Sequence, residues 1–112
     1  MKTPNENGVY EAETVTELAR RGHAHASVRL CQCEDGLYRY ALDMAYSHGG
    51  FCGPIFDGTP GFDSSGAASE AATREMLQHF PKAWASDPQS VHDELRELRA
   101  MIEGKSRQLS LF

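Results

Sequence analysis

The chain has 112 residues, of which 40% are hydrophobic and 24% are charged, and its formal net charge is −5. This length suits a single domain, in which folding buries roughly 60 to 68% of the surface of the unfolded chain. The negative net charge excludes binding to a nucleic acid backbone by long-range attraction alone. Any contact with nucleic acid is therefore expected to be indirect or to need a local basic patch.

The amino-terminal residues 1–8 are polar and do not resemble an export signal. The sequence contains no run of about 18 apolar residues, which is the length that a bilayer-spanning helix needs. Three cysteines are an odd number, and no export signal accompanies them. We therefore expect a cytoplasmic protein with free thiols and no membrane association.

The residue pattern predicts an α+β fold with a small antiparallel sheet of about three strands, two main helices and a short N-terminal helix. We expect a loose lead at residues 1–10, a single domain at 11–104 and a flexible tail at 105–112. Residues 11–21 are predicted to form the short helix, because Val15, Leu18 and Ala19 recur at helical spacing. Arg20 and Arg21 would complete its last turn before Gly22.

A β-hairpin is predicted for residues 27–33 and 37–46, joined by a tight type I′ turn at Asp35-Gly36. That turn would place Cys33 opposite Tyr38 and Cys31 opposite Tyr40, all on the face that meets the core. A third, irregular strand is expected near residues 51–56, which include Pro54.

Two helices are predicted to follow the sheet. The first would begin after Ser64 or Ser65, cover residues 67–80 and end at Pro81. The second would begin at Asp87-Pro88 and end at Gly104. It carries an apolar stripe that suits packing against the body or a homodimer contact, so both a monomer and a homodimer remain open: Val91, Leu95, Leu98 and Ile102.

Six side chains that can bind a metal lie within thirty residues: His23, His25, Cys31, Cys33, His48 and Cys52. Zinc needs only four such ligands, so a small zinc-binding protein is one alternative. The spacing matches no familiar zinc finger, however, and buried cysteines also serve as small hydrophobic residues. We therefore expect no metal and no cofactor at these residues.

No catalytic motif is found in the sequence. The glycine-rich residues 49–61 lack the Gly-Lys-Ser/Thr ending of a phosphate-binding loop, and no Gly-x-Ser-x-Gly elbow occurs. The acidic residues have no spacing that defines an acid and base pair. We therefore predict a protein that is not an enzyme and has no catalytic residues.

The last five residues, Gln108-Leu109-Ser110-Leu111-Phe112, carry the clearest signal. They resemble the pentapeptide by which bacterial polymerases, repair factors and mobile-element proteins bind the ring-shaped sliding clamp. The pattern of that family is Gln-Leu-Ser/Asp-Leu-Phe, and all five positions match. From average residue usage, a chance match in such a chain is on the order of one in several thousand.

The resemblance implies that Gln108 is the leading anchor, that Ser110 keeps the peptide extended, and that Leu111 and Phe112 fill a hydrophobic pocket of the clamp. It implies an accessory protein of bacterial, phage or plasmid origin. Residues 104–107 would act as a flexible polar spacer. The alternative is that the apolar residues of the tail fold back over the domain's own core.

The predicted order of strands and helix, with Phe62-Asp63-Ser64-Ser65-Gly66 leading into Glu70-Ala71-Ala72, is similar to the β-β-β-α layout of HicB antitoxin domains and of double-stranded RNA-binding domains. This likeness implies a second alternative, a nucleic-acid-binding or antitoxin-like module. Basic residues clustered on one surface would favour it.

Overall fold

The computed structural model describes residues 2–110 and has an α+β fold, as predicted. The elements, in chain order, are β1 (Val9–Tyr10), β2 (Thr14–Arg21), β3 (Ala24–Gln32), β4 (Tyr38–Tyr46), β5 (Gly49–Cys52), β6 (Ile55–Phe56), α1 (Ser65–Gln78) and α2 (Gln89–Ser110). None of the helices in this part of the chain combines the length and the apolar character needed to cross a membrane.

The main sheet has four antiparallel strands in the order β2-β3-β4-β5, and β1 pairs with β6 in a separate two-stranded sheet. The expectation of about three strands was therefore too low. Both helices pack on one face of the main sheet, α2 over β2 and β3, and α1 over β3 and β4. The small sheet covers part of the opposite face, so the main sheet lies between two layers.

The N-terminal region differs from the prediction. Residues 2–10 were expected to form a loose lead, but they include β1, a buried Tyr10 and a backbone hydrogen bond of 3.1 Å from Lys2 to the carbonyl of Gln32. This region therefore belongs to the folded body.

The predicted helix at residues 11–21 was wrong, because Thr14–Arg21 is an edge strand paired with β3. The run Thr14-Val15-Thr16 is β-branched, which favours a strand. A bulge between Glu17 and Ala19 then lets the consecutive residues Leu18 and Ala19 both face the core. The bulge breaks the alternation that identifies a strand, and the remaining pattern resembles a helix.

The predicted hairpin forms, but its register differs by one residue. Its loop has three residues, 34–36, in which Gly36 has a φ of +85° and the amide of Cys33 donates to the carbonyl of Leu37 at 2.8 Å. Cys31 therefore lies opposite Arg39 and not opposite Tyr40. The cysteines and the core tyrosines consequently occupy opposite faces of the sheet.

The N-terminal ends of both helices lie within two residues of the prediction: α1 begins at Ser65, and α2 begins at Gln89, directly after the predicted start at Asp87-Pro88. The hydroxyl of Ser64 accepts a hydrogen bond of 3.1 Å from the amide of Ala67 and caps α1. The apolar stripe of α2 is buried in the chain's own main core, as intramolecular packing requires, through Val91, Leu95, Leu98 and Ile102.

The predicted end of α2 was wrong, because the helix continues through Gly104 to Ser110. A glycine costs a helix only about 1 kcal/mol relative to alanine, which neighbouring interactions can offset. Here Ile102 is fully buried, Arg99 pairs with Glu103 at 3.1 Å, and Arg107 lies in the last turn, where a cation is favoured. Residues 104–107, which were expected to form a flexible spacer, are thus helical, and the helix continues to residue 110.

Candidate functional site

The C-terminal segment, residues 108–112, begins inside α2. Gln108, Leu109 and Ser110 form the end of the helix, whereas Leu111 and Phe112 lie outside the described residues. Gln108 is exposed and Leu109 is half-buried. Gln108 borders a shallow hollow between the helix and β2, together with Glu17, Leu18, Ala19, Arg20, Met101, Gly104 and Lys105.

The six candidate metal ligands are spread over the molecule. His23 and His48 lie in exposed turns at one end of the main sheet. Cys31 lies six residues from His25 along β3, which corresponds to about 20 Å in a strand. Within residues 2–110, no three histidine, cysteine, aspartate or glutamate side chains form a group that could hold a metal ion.

The cysteines serve different parts of the fold. Cys31 and Cys33 are buried beneath the small sheet with Tyr10 and Ile55, whereas Cys52 is exposed. Burial, followed by the neighbouring Cys33, raises the pKa of the Cys31 thiol to about 11. Cys31 is therefore a protonated core residue at neutral pH and is not poised as a nucleophile.

Among the described residues, the side of the main sheet near β5 forms a pocket that the sequence did not indicate. It has a volume of about 530 Å³ and lies between α1 and the β4–β5 side of the main sheet. The helices cover β2, β3 and β4, so a gap remains over β5. A loop that follows β6 closes the other side of this gap. We call it the β5 pocket, and its main side chains are Tyr40, Phe51, Pro60, Phe62, Glu75 and His79.

The central polar contact of the β5 pocket joins the sheet to α1. The hydroxyl of Tyr40 donates a hydrogen bond of 2.9 Å to the Oε1 atom of Glu75. Burial, followed by this contact with Glu75, raises the pKa of Tyr40 to about 12, so the phenol is neutral at physiological pH. The ring of Tyr40 also lies 6.0 Å from the ring of Phe62, measured between centroids.

Two arginines hold the backbone segments that border the β5 pocket. Arg39 Nε donates to the carbonyl of Thr59 at 2.9 Å, and the two Nη atoms donate to the carboxylate of Asp35. The hydrogen bond to Asp35 is the main reason why the pKa of Arg39 is raised, and the same bond lowers the pKa of Asp35. Arg29 donates through Nη2 to the carbonyl of Gly53.

No local motif would have revealed the β5 pocket. Tyr40 and Glu75 are 35 positions apart, and Glu75 occupies one position on a helix whose other features concern packing. Only the approach of α1 to β4 brings the two side chains together.

A scan against protein-family models finds no match to this chain. Searches of the curated proteins and of the solved structures also find no significant match.

Proposed function

We propose that this protein is a non-enzymatic accessory protein of bacterial, phage or plasmid origin that docks on the sliding clamp through residues 108–112. The observation that carries the proposal is the agreement of all five residues with the clamp-binding pentapeptide. Leu109, Leu111 and Phe112 supply the apolar surface that such a short peptide needs for binding.

The position of Gln108 supports this proposal. It is exposed on the last turns of α2, beyond the stripe that packs into the core, which ends at Ile102. A partner can therefore reach Gln108 without removing a core residue from the body.

Docking of an extended peptide would require Gln108, Leu109 and Ser110 to leave the helix. The last four carbonyl groups of a helix accept no intrahelical hydrogen bonds, so its final turn is the least costly part to unwind. The polar side chains of Lys105 and Arg107 precede the peptide and are both exposed. We propose that the end of α2 is helical in the free protein and extended on the clamp.

The experiment is a calorimetric titration of a purified bacterial sliding clamp with the full chain and with a variant that lacks residues 108–112. We expect binding by the full chain and none by the deletion variant. Phe112→Ala should weaken binding by about 10-fold to 100-fold, which corresponds to the roughly 1.5–3 kcal/mol gained by burying such a side chain. Ser110→Asp is the matched control, because the motif accepts aspartate there.

The proposal is wrong if the full chain does not bind the clamp or if the deletion variant binds equally well. A synthetic peptide of residues 105–112 should compete with the full chain, which assigns the interaction to the segment and not to the body.

No observation favours either alternative function to the same degree. Among the described residues, several arginines of the body pair with nearby carboxylates: Arg20 with Glu17 at 2.8 Å, Arg21 with Glu97 at 2.6 Å and Arg96 with Asp93 at 2.8 Å. Paired cations leave less charge for a nucleic acid backbone. The scattered histidines and cysteines similarly give no support to a zinc-binding function.

A further inference from the structure

We propose that the β5 pocket is a binding site for a small primary amine with an aromatic body. The site is separate from the C-terminal segment, so the proposal does not depend on clamp docking. Its volume of about 530 Å³ lies within the range of about 300 to 1,000 Å³ that is typical of small-molecule sites.

The shape of the ligand follows from the rings that surround the cavity. Tyr40 and Phe51 form part of the sheet side, Phe62 forms part of the loop side, and all three side chains are half-buried. Flat apolar walls favour a flat apolar ligand, and the faces of aromatic rings also attract a cation.

The charge of the ligand follows from the polar atoms at the cavity. The hydroxyl hydrogen of Tyr40 is already donated to Glu75, and that of Thr59 is donated at 2.7 Å to the carbonyl of Phe56. Glu75 is the carboxylate that lines the cavity, and its Oε2 atom makes no hydrogen bond within residues 2–110. The imidazole of His79 also lines the cavity and carries an N–H donor, whereas Glu75 supplies acceptor oxygens and a negative charge beside the aromatic rings. An ammonium group complements that carboxylate.

The surroundings of Glu75 suggest that this arrangement is preformed. Glu75 lies within α1, Tyr40 lies within β4, and the hydrogen bond between them fixes both side chains before a ligand arrives. Arg39 holds the loop through the carbonyl of Thr59. A site with fixed walls loses little conformational entropy on binding.

The test uses phenethylamine as the probe and phenylacetate, an anion of nearly the same size, as its counterpart. Each is titrated into isotopically labelled full-length protein and followed by two-dimensional NMR. We expect phenethylamine to shift the amide signals of residues that line the cavity, such as Phe51 and Phe62. We expect phenylacetate to bind at least about tenfold more weakly, because one charge-assisted hydrogen bond contributes about that factor or more.

Glu75→Gln is the matching variant. The glutamine keeps an acceptor oxygen for the Tyr40 hydroxyl, so the fold is retained while the negative charge is removed. Its affinity for phenethylamine should fall by about tenfold or more. Glu70→Gln, on the same helix but outside the cavity lining, is the control and should bind like the unmodified protein.

Three results would overturn the proposal. They are the absence of phenethylamine binding at millimolar concentration, equal binding of phenylacetate, and signal changes that map to another surface. An unchanged affinity of the folded Glu75→Gln variant for phenethylamine would also contradict the proposal that the Glu75 carboxylate binds the ammonium group.

Discussion

Arg39 donates two parallel hydrogen bonds to the carboxylate of Asp35, of 3.0 Å from Nη1 and 2.9 Å from Nη2, and its Nε atom donates to the carbonyl of Thr59. A single guanidinium thus joins the β3–β4 loop to the loop beside the β5 pocket. Arg39 is 8% exposed, so few of its hydrogen-bonding groups can turn to water instead.

We expect Arg39→Lys to lower the free energy of unfolding by about 1–2 kcal/mol. Lysine keeps the charge but cannot reproduce the planar, two-pronged contact together with the bond to Thr59. The half-exposed carboxylate of Asp35 is partly screened by solvent, which limits the effect. Urea denaturation measures the change. Arg96→Lys, at an exposed pair with Asp93, should stay within about 0.5 kcal/mol, and equal losses at both sites would contradict the expectation.

Gly104→Ala should stabilise the protein by up to about 1 kcal/mol, because alanine is the better helix former and the position lies inside α2. A Cβ atom there would meet its nearest neighbour, Arg107 Nη2, at 3.9 Å, so no clash opposes the change. Thermal unfolding measures the gain. A loss of stability would show that the chain at Gly104 is not helical.

The same variant tests the proposed unwinding of the end of α2. If docking extends the chain back to Gly104, the added helix stability should weaken clamp binding by up to about fivefold. Gly66→Ala is the matched control, since its Cβ would lie 4.0 Å from Ser64 Oγ within α1, far along the chain from the peptide. It should leave clamp affinity unchanged. Equal affinities for all three proteins would place any unwinding after residue 104.

The Tyr40–Glu75 contact predicts a specific loss of stability at alkaline pH. The pKa of Tyr40 is about 12 in the folded protein against an ordinary value of 10.0, so the folded state holds this proton more tightly than the unfolded state does. The contribution of the protonated Tyr40 to the free energy of unfolding is complete below the pKa of Tyr40 in the unfolded state. It is lost as the pH rises through the pKa of Tyr40 in the folded state.

Tyr40→Phe should therefore be less stable at neutral pH but lose less stability between neutral pH and about pH 11 than the unmodified protein. Denaturation midpoints across this range measure both effects. Tyr46→Phe serves as the control, because no hydrogen bond of the Tyr46 hydroxyl is found within residues 2–110. Parallel stability curves for the Tyr40→Phe variant and the unmodified protein would refute the linkage.

Thiol labelling should distinguish the three cysteines. In the native protein we expect a maleimide reagent to modify Cys52 alone, since Cys31 is 1% exposed and Cys33 is 0% exposed. The raised pKa of Cys31 lowers its reactivity further. Mass spectrometry should show one added group in the native state and three after denaturation. Rapid native labelling of a Cys52→Ser variant would indicate that the region under the small sheet opens.

The helices and the apolar stripe of α2 could be predicted because their signals are local. A serine cap, a proline and a repeat of apolar residues each act within a few positions. The hairpin was also predicted, but a one-residue difference in loop length reversed which face each cysteine occupies. The strand register depends on the conformation of this loop. A two-residue type I′ turn needs a positive φ at Asp35, and Asp35 does not have one. The pair Asp35-Gly36 is compatible with either the two-residue or the three-residue loop.

The misassigned β2 and the β5 pocket have a different physical cause. The bulge at Glu17 and Ala19 arises where the strand must twist to keep Leu18 and Ala19 on the core, and no sequence pattern marks it. The pocket depends on two helices covering a four-stranded sheet incompletely, which is a property of the assembled layers. Propensity at single positions contains no information about either feature.

The bulge in β2 has a consequence for how the protein behaves at high concentration. β2 and β5 are the two outermost strands of the main sheet, where backbone groups without a neighbouring strand can recruit the strand of another molecule. In β2 the bulge bends the strand, and the charged pair of Glu17 and Arg20 lies beside it. β5 has only four residues, two of them glycine. Both edges are therefore poor templates for edge-to-edge addition of a strand from another molecule, and we expect little tendency to form fibres.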